Sequence, residues 1–247
     1  MRPPTRALRL SLIGWLFFTG MGVDPLMPTA QASSGDRPNQ AAARVGPALR
    51  RDLAAQHLSL GAPVFVRIFK REAELELWMR AADGKFVHFR TWPICTFSGN
   101  LGPKTRQGDN QAPEGFYRVG AGQLNPASRF HLAFNLGYPN AYDRMHGYHG
   151  DFLMVHGNCV SIGCYAMGDA GIEEIYTLVD AALRSGQSAF DVHAFPFRLG
   201  SAALARERTS PWHDFWAELK TGYDAFEHTH VPPRVTAVGG HYIVRES

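Results

Sequence analysis

The chain has 247 residues, 45% hydrophobic and 12% aromatic, with a formal net charge of +3. That length and apolar content suit one globular unit of roughly 200 residues or more, with or without an appendage. The charge is too small, and no Lys/Arg block is present, so a nucleic-acid partner is not expected.

The first 32 residues read as a secretory signal peptide. Arg2, Arg6 and Arg9 precede an apolar run from Leu10 to Val23, and Ala30-Gln31-Ala32 supplies a small-residue cleavage pattern. The run is interrupted by Ser11, Gly14, Thr19 and Gly20 and is short for a membrane span, so an uncleaved inner-membrane anchor is the rival reading. Cleavage would remove three arginines and Asp24 and lower the net charge from +3 to +1. The expected location is the periplasm. Residues 33–58 read as a small, polar, flexible segment followed by a short helix over 45–57, with Val45, Leu49, Leu53 and Ala54 along one side.

Residues 59–200 read as the main domain. "VFVRIF", "ELELWM" and "KFVHFRTWPI" predict an antiparallel meander from Val64 to Ile94, with Leu75, Leu77 and Met79 on one face. Residues 98–115 are mostly turn chemistry, a polar loop long enough to suggest function. Strands are expected at 116–119, 130–135 and 151–156, the last delivering His156 at its end. Asp169 reads as the cap of a helix carrying Ile172, Ile175, Tyr176, Val179 and Leu183. "FDVHAFPF" reads as a strand in which His193 is structural. Residues 201–247 form a helical extension with a final strand, and Phe215, Trp216, Leu219, Tyr223 and Phe226 make a docking stripe. The fold class is mostly β (α+β), a mixed sandwich or barrel-like domain with helices packed on it.

The chemistry concentrates in "HGNCVSIGCYAM", residues 156–167. Three cysteines in an exported chain leave at least one unpaired. Cys164 is the candidate nucleophile, because an imidazole such as His156 can take its proton. Gly157 and Gly163 permit the tight loop this needs, and the N–H groups of Gly163 and Cys164 could receive an oxyanion. Composition alone leaves two other readings open, a structural thiol or disulfide and a metal site. His146, His149, His156, Cys159 and Cys164 could together ligate zinc. Their intervals match no compact zinc pattern, however, and an extended 151–156 would put about 20 Å of chain between His149 and His156.

Blocks such as "VRIFKREAELELW", "GPKTRQGDNQAPEGFYRV", "FNLGYPNAYDR", "VHGNCVSIGCYAM" and "FDVHAFPFR" together resemble the YkuD-type L,D-transpeptidase catalytic domain over roughly residues 60–200. The shortened motif resembles the YafK (or DpaA) branch of that family. The resemblance implies Cys164 as nucleophile and His156 as general base, with the histidine oriented by the Gly157 carbonyl. It implies a peptidoglycan stem peptide as substrate, attacked at the meso-diaminopimelate carbonyl. The product is either a new crosslink or, as in that branch, hydrolysis of the diaminopimelate–lysine link to an outer-membrane lipoprotein. It implies neither cofactor nor metal, and a monomer is expected. Ile162 stands where the commoner signature has histidine, and Tyr165-Ala166 where arginine often follows. An inactive wall-binding protein or a zinc peptidase are the remaining alternatives. Lys104, Arg106, Arg144, His149 and Tyr165 are the candidates for substrate binding. Cys159 is a buried small hydrophobe or pairs with Cys95; a bridge to Cys164 would silence the nucleophile.

Overall fold

A computed structural model describes residues 36–247. The leader expected over residues 1–32 lies outside these. The first element is α1 (Arg37–Ala55), so helix begins where a flexible segment was expected. Pro38 is tolerated in the first turn, where its missing N–H costs nothing. Arg37 fixes the start by donating to the Ser128 and His131 carbonyls. Ala41, Leu49 and Leu53 are buried along one side.

The meander forms as its alternation predicts. β1 (Val64–Phe69) pairs antiparallel with β2 (Glu74–Arg80), and β2 with β3 (Phe86–Pro93). β1 then pairs parallel with β10 (Ala189–Phe195), which pairs antiparallel with β5 (Gly115–Gly120). The resulting order is β3-β2-β1-β10-β5. Side chains on one face of β1, including Val64, Val66 and Ile68, join the main core with residues of α1 and of α3 (Gly168–Arg184). Phe65 and Phe69, on the opposite face, meet α5 (His213–Thr229) through Phe226, Trp216 and Leu219. This sheet is therefore covered on both sides. That explains its buried charges: Arg67 lies in this second layer and is neutralised by Glu76, which also binds Arg198 and the Trp78 indole N–H. His193 sits between the Phe65 and Phe116 rings as a core residue, and burial together with the Arg67 charge lowers its pKa to about 3.

A second sheet carries the candidate chemistry. Its order is β4 (Thr96–Phe97), β9 (Tyr165–Ala166), β8 (Met154–His156), β7 (Ala133–Asn135) and β6 (Leu124–Asn125). Its Phe134, Val155 and Tyr165 join the same core as α3. Two expected strands are shorter than their apolar runs suggest. Phe130 and His131 precede β7, and His131 takes a positive φ of 68°. Asp151 to Leu153 are irregular, and Phe152, at φ 59°, turns out to solvent. The short helices α2 (Ala141–Met145) and α4 (Ser201–Arg206) occupy connections. The chain ends in a hairpin, β11 (Arg234–Val238) and β12 (His241–Arg245), rather than in one strand. Glu218 of α5 ties this hairpin by accepting from the Tyr242 N–H. Both five-stranded sheets are open, so the architecture is α+β without a closed barrel among the described residues. Nor is any described helix long and apolar enough to cross a membrane.

Candidate active site

The strand register brings the motif's two ends together. β8 and β9 run parallel with His156 opposite Ala166. Cys164 is two residues before Ala166, so period-2 alternation puts its side chain on the His156 face, diagonally across the strand pair. Both residues line one cavity of about 480 Å³. The intervening loop is compact because Gly157 and Gly163 lack side chains. A Cβ on Gly157 would come within 2.7 Å of both Asp169 Oδ1 and Phe130 O; Gly163, at φ 132°, faces Leu153 and Gln111 at 3.2 and 3.4 Å.

His156 is 1% exposed. Its Nδ1 lies 2.5 Å from the Gly157 carbonyl, which can only accept, so Nδ1 carries the proton and Nε2 is left basic. The ring stacks on Phe130 at 4.7 Å. Burial lowers its pKa, against a smaller opposing effect of the Gly157 bond. Cys164 is half-buried, and its Sγ donates weakly to the Phe152 carbonyl at 3.5 Å. Burial raises its pKa, while the Met154 N–H and the Lys104 charge pull it down. Both shifts favour the neutral forms, thiol and imidazole.

The other two cysteines are joined: Cys95 and Cys159 form a disulfide, with their Cα atoms 5.5 Å apart. Of the alternatives open for Cys159, pairing with Cys95 is the one realised, and Cys164 is left as the free thiol. The bridge ties the middle of the motif loop to the start of β4. Asp169 is not the helix cap; Met167 holds that position, and Asp169 Oδ1 instead accepts from the Asn158 N–H at 2.7 Å. Ser161 Oγ accepts from the Gly163 N–H and donates to the Cys164 carbonyl. The Gly163 amide expected to face an oxyanion is thus engaged within the loop.

The candidates for substrate binding separate. Lys104 lines the cavity but is buried and paired with Asp109 and the Arg106 carbonyl, so it is not a solvated charge. The side chains of Arg106 and His149 lie outside the residues lining the cavity, and His149 Nδ1 accepts from the Gln107 N–H at 3.5 Å. Arg144 lines a different cavity beside Tyr142 and binds the Pro139 carbonyl. Tyr165 is fully buried and donates to the Pro113 carbonyl at 2.6 Å, so it is a core residue and no substrate ligand. Ile162 lines the cavity mouth and is 81% exposed.

Several residues escaped sequence reasoning. Arg129, Phe130 and Asp151 line the cavity from loops that carry no motif. Lys70, fully buried, donates to the carbonyls of Asn100, Gly102 and Ala112 and pairs with the equally buried Glu114. Glu114 also accepts from the Gly102 N–H and from Trp216 of α5. This network fixes the polar loop that presents Lys104. The only advance signal was a lysine directly after a strand whose sole other charge is Arg67. Among the described residues no group of three or more His, Cys, Asp or Glu is arranged to hold a metal ion.

A free thiol just before β9 and an imidazole at the end of β8 thus line one cavity. The description of the YkuD family, the L,D-transpeptidase catalytic domain, matches residues 64–224, and the chain belongs to that family. It is 50% identical over 185 residues, 75% of each chain, to "Putative L,D-transpeptidase YafK" of Escherichia coli K12, and equally so to its counterpart in strain O157:H7. Among solved structures, the helical cell shape determining protein Pgp2 (K307A mutant) of Campylobacter jejuni aligns at a TM-score of 0.45 and 20% identity, covering 78% of this chain and 64% of that one. Bd1075 of Bdellovibrio bacteriovorus aligns at a TM-score of 0.37 and 17% identity, covering 68% and 61%.

Proposed function

We propose that this chain is an exported cysteine acyl-transfer enzyme that acts on peptidoglycan stem peptides at the meso-diaminopimelate carbonyl. One observation carries the reading. Two cysteines are consumed by a bridge, and the third stays free on the wall of the cavity that also holds a correctly tautomerised histidine. In the proposed reaction Cys164 Sγ forms the bond to the carbonyl carbon and its proton passes to His156 Nε2. Backbone N–H groups near Gly163 and Cys164 receive the oxyanion once the Gly163 amide leaves Ser161. The C–N bond then breaks, and the departing amine takes the proton from His156. An acceptor amine, or water, attacks the thioester carbonyl and gives its proton to His156; the C–S bond then breaks and the departing sulfur takes that proton back, restoring the thiol. The amine completes a crosslink. Water completes a hydrolysis, and the same steps would cleave a diaminopimelate–lysine tether to an outer-membrane lipoprotein. A periplasmic location accords with the disulfide, which an oxidising compartment sustains, and the chain is taken to act as a monomer.

The test is a digest of intact sacculi by the purified protein, read by mass spectrometry. New diaminopimelate–diaminopimelate crosslinks are expected for transpeptidation. Released lipoprotein ending in free lysine, without new crosslinks, assigns hydrolysis instead. Cys164→Ala should abolish either product. Persistence of a product in that variant, or no product and no acyl-thioenzyme with wild-type protein, sinks the proposal.

A further inference from the structure

The cavity holds more charge than the thiol and imidazole account for. Lys104, Arg129 and Asp151 all line it. Lys104 is committed to Asp109. Arg129 and Asp151 are different: both are exposed at the cavity, and neither side chain makes a hydrogen bond or ion pair with another described residue. They come from separate connections, Arg129 between β6 and β7 and Asp151 between α2 and β8.

Both connections are held in place by bonds that do not involve these two side chains. Around Arg129, Arg37 of α1 grips the carbonyls of Ser128 and His131, Ser128 Oγ accepts from the Phe130 N–H, and His131 Nε2 meets Glu173 of α3. The Asp151 N–H donates to Gln107 Oε1 at 2.9 Å. The backbones are thereby fixed while a guanidinium and a carboxylate are left unmatched on the wall of the cavity that the thiol also lines. A ligand carrying only an anion would satisfy Arg129 and be repelled by Asp151; one carrying only a cation would meet the reverse. A group with both charges on neighbouring atoms complements the two at once, and charge complementarity of this kind sets specificity more than raw affinity.

We infer that the cavity selects a substrate whose side chain ends in a free α-amino-acid zwitterion, with Arg129 receiving the carboxylate and Asp151 the ammonium. The inference rests on the reading under Proposed function and deepens it, since the unlinked end of diaminopimelate is such a zwitterion. A planar guanidinium can take a carboxylate by two parallel hydrogen bonds, which gives orientation as well as affinity. Holding that distal end would place the proximal carbonyl against Sγ, so these are specificity residues rather than participants in proton transfer.

The experiment is calorimetric titration of the full chain carrying Cys164→Ala with a soluble diaminopimelate tripeptide in three forms: free zwitterion, distal carboxamide and distal N-acetyl. The zwitterion is expected to bind about tenfold tighter than either blocked form, a difference of the size one charge-assisted contact supplies. Adding Arg129→Gln should make zwitterion and carboxamide bind equally, and adding Asp151→Asn should equalise zwitterion and N-acetyl. Equal binding of all three forms by the parent, no binding of any, or an undiminished carboxylate preference in Arg129→Gln overturns the inference. Turnover of sacculi by wild-type protein without this preference sinks the zwitterion site alone. The preference without any acyl-thioenzyme sinks the acyl-transfer reading alone.

Discussion

The two five-stranded sheets are built on different terms. In the first, β1, β2, β3, β5 and β10 run for six to eight residues, and β1 is buried at every position. Backbone ladders and apolar burial on both faces hold it. In the second, β4, β6, β7, β8 and β9 run for only two or three residues. So little ladder cannot fix long connections. Side-chain bonds from outside the sheet fix them: Cys95 to Cys159, Lys70 to the polar loop, Arg37 to the Ser128 loop, and Asp169 to Asn158. The candidate residues lie on the second sheet and its connections: His156 ends β8 and Cys164 directly precedes β9. Short strands release enough chain for separate loops to converge on one cavity, while the first sheet gives them a rigid base.

The sharpest way to break this comparison is at Lys70. Lys70→Met should lower unfolding stability by about 3–5 kcal/mol, because Glu114 is left charged and uncompensated in the interior. Urea unfolding measures it. A cost below about 1 kcal/mol would mean that the polar loop is held by something else.

Next comes the bridge. Replacing Cys95 and Cys159 together by serine opens a sequence separation of 64 residues, and the expected cost is about 2–4 kcal/mol. Hydrogen exchange should accelerate over residues 95–98 and 157–164 while β1, β2 and β10 keep their protection. Equal acceleration in both sheets would erase the distinction. Cys164 should remain alkylatable in the folded double variant.

The smallest effect concerns the thiol itself. Its pKa is raised and that of His156 lowered, so thiolate is the minor form at neutral pH and grows as pH rises. Iodoacetamide labelling of Cys164 should accelerate about tenfold per pH unit from pH 6 upward, equivalent to about 1.4 kcal/mol per unit. A flat rate between pH 6 and 8 would indicate a preformed thiolate–imidazolium pair instead.

Legibility in the sequence follows the same division. The meander over Val64–Ile94, the helix carrying Ile172, Ile175 and Val179, and the stripe of α5 were readable, because each announces its buried face through local periodicity. Within the motif, spacing alone left a thiol–imidazole pair, a disulfide and a metal site open for Cys164 and His156; the contact of His156 with the Gly157 carbonyl was an implication of the family resemblance, and the structure contains that contact. Arg129 and Asp151 carried no such signal: single charges in polar loops look like solvated surface. Tyr165 misled for the opposite reason, since its position beside the nucleophile suggested a ligand, whereas alternation along β9 turns it into the core. Asp169 looked like a cap because it precedes an apolar repeat. The helix in fact starts two residues earlier, with Met167 at the cap and Asp169 inside the first turn, which freed that carboxylate to hold the motif loop.

The sequence alone therefore determined the elements of the larger sheet and the two main helices packed on it, and it marked residues 156–167 as the place to look for chemistry. All of these rest on interactions between residues near in the chain. Tertiary structure decided which cysteine stayed free, which charge was buried and paired, and which loops share a cavity. Cys95 and Cys159 lie 64 residues apart, and Lys70 just follows β1 whereas Glu114 just precedes β5. No local pattern encodes such contacts. They exist because packing the short-stranded sheet against the common core brings those segments together, and only then does a hydrogen bond, a bridge or an ion pair have a partner.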